Sequence, residues 1–266
     1  MSSPSTKPFA VVTGGSSGIG LELAKQFARN GYDLLIAAEP QGLAEAGGEL
    51  QALGAQVETV AVDLAAPDGV HTLWSRITSG GRPIDAIAIN AGVGVGGRFT
   101  ETDGDEELNL INLNVVSTVH LAKHVVKDMV ARGSGRILFT SSIAAVMPAP
   151  FEAVYGASKA FILSFSEALH NELKDTGVTV TALMPGPTET NFFHRADMDD
   201  THVGASKKDD PADVARQGYE ALMAGRDKVI AGSLKTKIQG RASEILPDAV
   251  TAEQHRKMSE PGSADK

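Results

Sequence analysis

Cysteine is missing altogether from this chain of 266 residues. Disulfides, thiolate metal sites and a cysteine nucleophile are therefore excluded. Positive charge is scarce: 24 Lys and Arg stand against 33 Asp and Glu, a formal net charge of −9. A nucleic-acid binder needs a basic face, so that class is set aside. Nowhere do about 18 apolar residues run together, and no membrane-spanning helix is expected. The start, Met1 to Pro8, is polar and lacks the apolar stretch of a secretory signal, which reads as a cytoplasmic chain. No fixed-period repeat and no Pro/Gly-rich linker divides the sequence. What is there, 42% hydrophobic and 21% charged residues, suits one globular domain over residues 1–266 with an unstapled core.

The pattern alternates between two periods. Phe9 to Thr13, Leu34 to Ala38, Val57 to Val62, Ala86 to Asn90, Arg136 to Ser141, Val178 to Met184 and Asp227 to Ile230 are short runs that read as strands, most of them apolar. Such runs suit strands buried on both faces. Between them, stripes at helical spacing predict helices: Ile19 to Ala28, Gln41 to Leu53, Pro67 to Ser79, Asp103 to Ala131, Glu152 to Asp175 and Pro211 to Ala224. Strand–helix alternation implies right-handed crossovers and a doubly wound parallel sheet, an α/β fold in three layers. Residues 188–210 are long enough to form a lid, and 251–266 are polar enough to read as a loose tail.

The first strand runs into Thr13-Gly14-Gly15-Ser16-Ser17-Gly18-Ile19-Gly20, which opens the first helix. Glycine permits positive φ and a close approach of backbone to ligand. The helix start offers free N–H groups and a positive dipole end to a pyrophosphate. In a first βαβ unit, this turn reads as a dinucleotide site. Its spacing resembles the short-chain dehydrogenase/reductase family, whose other landmarks follow in order: Asp63-Leu64, Asn90-Ala91-Gly92, Asn114, Ser141-Ser142, Tyr155-Gly-Ala-Ser-Lys159 and Pro185-Gly186-Pro187-Thr188. The resemblance covers about residues 9–232. It implies a Rossmann fold and a nicotinamide cofactor held by Gly14, Ser16, Ser17, Gly18, Ile19, Gly20, Asp63, Leu64, Asn90, Ala91, Gly92, Pro185, Gly186 and Thr188, with Tyr155 and Lys159. It also implies a homodimer or homotetramer paired through the two long helices.

Tyr155 and Lys159, four apart on a helix, share one face. A phenol with a pKa near 10 is a poor acid or base at neutral pH, and a neighbouring ammonium is expected to lower it. Ser142 sits at a strand's carboxyl end, where ligands enter open α/β sheets. The resemblance gives the same roles: Tyr155 exchanges the proton, Ser142 orients the substrate, Lys159 binds nicotinamide ribose, and Asn114 serves a proton relay. Glu39 follows the second strand, where an acidic residue hydrogen-bonds ribose hydroxyls and repels a 2′-phosphate, favouring NAD; NADP stays open. Val93, Met147, Phe151, Phe192 and Phe193 suggest an apolar pocket for a hydrophobic ketone or its alcohol, a small-molecule substrate. His120 and His124, four apart, read as ordinary helix-surface histidines, with no metal site. The leading function is alcohol–ketone hydride transfer. A β-ketoacyl carrier-protein reductase is an alternative that the charge of −9 disfavours, and a non-catalytic cofactor sensor would be expected to lack Tyr155 or Lys159.

Overall fold

Seven strands carry the architecture in a computed structural model that describes residues 7–264. Most of the polar start, residues 1–6, and the last two tail residues lie outside that range. The strands are β1 (Phe9–Thr13), β2 (Asp33–Ala38), β3 (Val57–Ala61), β4 (Ala86–Ile89), β5 (Gly135–Thr140), β6 (Val178–Pro185) and β7 (Lys228–Ala231). All pair in parallel, in the order β3-β2-β1-β4-β5-β6-β7. The helices are α1 (Gly18–Arg29), α2 (Leu43–Ala52), α3 (Gly69–Ser79), α4 (Gly104–Ile111), α5 (Ser117–Arg132), α6 (Ala153–Glu172), α7 (Phe192–Arg195), α8 (His202–Ala205), α9 (Pro211–Met223), α10 (Leu234–Ser243) and α11 (Asp248–Ser259).

Successive strand residues point to opposite faces, and this divides the core in two. Val11, Leu35, Ile87, Ile137 and Phe139 face Leu73, Leu121, Val125 and Ile162 of α3, α5 and α6. Val12, Leu34, Ile36, Ala88 and Leu138 face Leu23, Phe27, Leu50, Val214 and Leu222 of α1, α2 and α9. Both faces being covered explains why the strands read as continuous apolar runs. Chain order reverses between β1 and β4, so their following loops part and open a crevice at the carboxyl ends.

Two expectations need correction. The stretch read as one long helix is broken by a π-helical turn, Asn112–Val116, between α4 and α5. The loose tail is instead α11 and a strap beyond it. Helix α11 has few apolar residues, so its sequence gives little periodic signal. It is held by docking: Met258 packs against the cluster of Phe193, Ala196, Met198 and Val203. Past it, Ser263 Oγ accepts from His202 N at 2.9 Å and Ala264 N donates to Asp200 O at 2.9 Å. The segment 188–210 carries α7 and α8 within that cluster.

Candidate active site

Thr13 closes β1 and ties three strand ends together. Its Oγ1 accepts from the N–H groups of Asn90 (2.9 Å) and Ala91 (3.0 Å), and Asn90 Oδ1 accepts from Thr140 Oγ1 at 3.0 Å. The turn then passes through Gly14 and Gly18, both at positive φ (65° and 53°). A Cβ on Gly20 would stand 2.0 Å from Gly14 O, so only glycine lets α1 start this close to β1. The N-cap residue of α1, Ser17, makes no side-chain cap, which leaves first-turn N–H groups for an anion.

A cavity of about 680 Å³ opens over the crevice. Gly14, Ser16, Ser17, Gly18, Ile19, Gly20, Glu39, Asp63, Leu64, Asn90, Ala91, Gly92, Ser142, Tyr155, Lys159, Pro185, Gly186 and Thr188 all line it, as do Val93, Met147, Phe192 and Phe193. The glycine cradle and uncapped helix start thus share one cavity with the Ser–Tyr–Lys group, and they fit an elongated ligand bearing a pyrophosphate.

Phe151 is not among the lining residues. It takes a positive φ of 67°, and the guanidinium groups of Arg98 (5.6 Å) and Arg256 (5.1 Å) stand over its ring. These cation–π contacts hold it away from the cavity that its apolar character suggested. Asn114 does not line the cavity either, and it is used structurally. From the π-turn, its Oδ1 accepts from Val93 N (3.0 Å), while Nδ2 donates to Val93 O (2.9 Å) and Ser158 Oγ (3.1 Å). Asn114 therefore joins the loop after β4 to α6.

Lys159 Nζ donates to Thr140 O at 3.1 Å and stands 5.6 Å from the Tyr155 ring centroid. Ser142 Oγ accepts from Ala144 N at 3.1 Å and lines the same cavity as the Tyr155 phenol. Burial pushes the Lys159 ammonium down to about 8. The expected lowering at Tyr155 does not occur in the protein alone. Burial and the nearby Glu152 carboxyl push the phenol up, with Ser142 opposing them. Phe192 packs on the Tyr155 ring at 5.2 Å.

Sequence reasoning missed Glu152, Gln239, His255, Met258 and Ser259, which also line the cavity. Glu152 carried a findable signal, one turn before Tyr155. The others belong to helices with weak periodicity. His120 and His124 are not solitary surface residues: His71 of α3 meets His120 edge-on at 4.5 Å, and Trp74 stacks on His124 at 5.1 Å. The candidate ligand atoms of the three histidines lie within 4.8 Å of one another, and none lines the cavity. Among the described residues, no helix is long and apolar enough to cross a membrane.

Comparison with known proteins gives the same picture. The model of the short chain dehydrogenase family matches residues 8–201. An uncharacterized oxidoreductase of Staphylococcus saprophyticus is 33% identical over 80% of this chain and 90% of that one. A ketoacyl reductase of Nostoc is 27% identical over 90% of this chain and 85% of that one. Among solved structures, a short-chain dehydrogenase from Sphingobium yanoikuyae in complex with NADPH superposes with a TM-score of 0.78 at 30% identity, covering 84% of this chain and 87% of that one. With the family model matched from β1 to just before α8, this chain belongs to the short-chain dehydrogenases, a family of oxidoreductases.

Proposed function

We propose that the protein interconverts a secondary alcohol and a ketone, with Tyr155 exchanging the hydroxyl proton. The observation that carries this is the convergence of half-buried Tyr155 with buried Ser142 and Lys159 on the cavity that the glycine turn opens. Gly14, Ser16 to Gly20, Asp63, Asn90 to Gly92 and Pro185 to Thr188 would hold a nicotinamide dinucleotide there. Such a cofactor, when bound, gives or takes the hydride.

The chain's own groups do the rest. Ser142 donates to the substrate oxygen and fixes it beside Tyr155. As a phenol held protonated by burial, Tyr155 is in the form that gives a proton to a carbonyl oxygen becoming an alcohol. The reverse direction needs the phenolate, and Lys159 supplies positive charge near the ring to favour it. Asn114 positions rather than touches: it fixes Val93 and the start of α6. The apolar lining of Val93, Met147 and Phe192 excludes water and suits a carbon-rich substrate.

For the cofactor, Glu39 supports NAD. It is exposed, lines the cavity directly after β2, and no Lys or Arg occurs among residues 37–42. The Nostoc relative supports a ketoacyl substrate as the second reading, which the net charge of −9 disfavours for an acidic carrier. A second copy of the chain is proposed to pair over α4–α6, where Phe99, Leu108, Ile111, Val116 and Phe161 are exposed. Tyr155→Phe tests the chemistry. Its kcat should fall by about 10²–10⁴-fold with cofactor affinity unchanged; full turnover would contradict the mechanism.

A further inference from the structure

Glu152 stands one helical turn before Tyr155, and both line the cavity. Its side chain is only 7% exposed, and among the described residues its ion-pair neighbour is His255 alone. Ser259 Oγ donates to Oε2 at 2.9 Å, and His255 Nε2 lies 3.4 Å from the same oxygen. The other oxygen, Oε1, takes no hydrogen bond among the described residues, and the His255 ring on the far side packs against the Pro150 backbone. Taking a carboxyl out of water without a cation is expensive. Glu152 does not recover that cost as a helix cap, for its side chain makes no cap hydrogen bond. Packing therefore leaves its burial unexplained.

We propose that Glu152, with Ser259 and His255 fixing one of its oxygens, forms a polar subsite for a second hydroxyl on the substrate. The substrates are then hydroxy-ketones and diols rather than plain ketones and alcohols. This deepens the alcohol–ketone reading above and rests on it.

A hydroxyl fits better than a charged group. Burial pushes the Glu152 carboxyl up to about 7 and pushes the His255 imidazole down, so neither holds a fixed charge at neutral pH. A substrate ammonium needs a standing anion, and a substrate carboxylate needs a standing cation. A hydroxyl donates to the carboxylate and accepts from the acid, so it meets both forms. Met147, Phe192 and Met258 supply apolar lining elsewhere in the cavity, beside the polar Asn191, Arg195 and Gln239. The subsite is assembled late in the chain: α11 brings His255 and Ser259 to the wall that α6 begins.

A site that strands a buried polar atom rejects an analogue lacking the matching group. The experiment is steady-state kinetics on matched pairs of α-, β- and γ-hydroxy ketones and the alkyl ketones that carry methyl in place of the hydroxyl. Wild type should prefer the hydroxy member of its best pair in kcat/KM by roughly 10- to 100-fold. Glu152→Gln should keep most of that preference, since an amide also donates and accepts. Glu152→Leu should abolish it, and Ser259→Ala should reduce it several-fold. A wild-type preference for the alkyl ketones overturns the proposal, and so does a hydroxyl preference unchanged in both Glu152→Leu and Ser259→Ala. Tyr155→Phe run in parallel keeps the two readings apart. Full turnover by that variant would contradict the Tyr155 mechanism, while dependence of the hydroxyl preference on Glu152 would still be read from the same panel.

Discussion

Two side chains one helical turn apart, Glu152 and Tyr155, show how burial sets the chemistry of single residues here. Both are held toward their protonated forms: the phenol is pushed up, and the carboxyl rises from an ordinary 4.5 to about 7. Between those two values the folded protein keeps the Glu152 proton that the unfolded chain has released. Folding then binds protons, so stability falls as pH rises from about 4.5 to 7. Glu152→Gln removes that slope. It should match wild type near pH 4 and exceed it at pH 8, by on the order of 3 kcal/mol at most; thermal unfolding at the two pH values measures it. A difference independent of pH would contradict the buried carboxyl. Tyr155, Lys159 and Ser142 were legible because their spacing and strand-end position carry the information. Glu152 was not. Its significance comes from Ser259 and His255, which are about a hundred residues away in sequence.

At the scale of elements, strands were the most legible because burial on both faces writes apolar runs. The helix edges and breaks were less so. Nothing local announces the π-turn at Asn112–Val116, since its residues suit an ordinary helix equally well; it is fixed by what Asn114 reaches. Asn114→Leu should strand the N–H and C=O of Val93 and lower stability by about 1–3 kcal/mol per unpaired group. Cofactor affinity and kcat should fall with it, because Val93 follows Asn90 to Gly92, the run proposed to face the cofactor. Unfolding and titration of the variant check both. An intact variant would mean that the π-turn does not position the site. Helix α11 was read as a tail for a different reason: its order comes from docking on the Phe193–Val203 cluster rather than from its own amphipathic face. Phe151 was misplaced because an apolar side chain in a loop does not reveal that two arginines stand over it.

Across the whole molecule, the reversal of strand order between β1 and β4 is what gathers residues from 14 to 259 around one cavity. The order of the motifs along the chain made that topology readable. The exposed apolar stripe of Phe99, Leu108, Ile111, Val116 and Phe161 predicts self-association. Light scattering should find a dimer or tetramer, and Leu108→Asp with Phe161→Glu should shift it toward monomer; a monomeric wild type would contradict the pairing. The central claim is that the glycine cradle binds a nicotinamide dinucleotide with Glu39 at its ribose end. Parallel fluorescence titrations with NADH and NADPH test it most directly. The account predicts saturable binding of both, tighter for NADH. Tighter NADPH would contradict the role given to Glu39, and binding of neither would contradict the cofactor site itself.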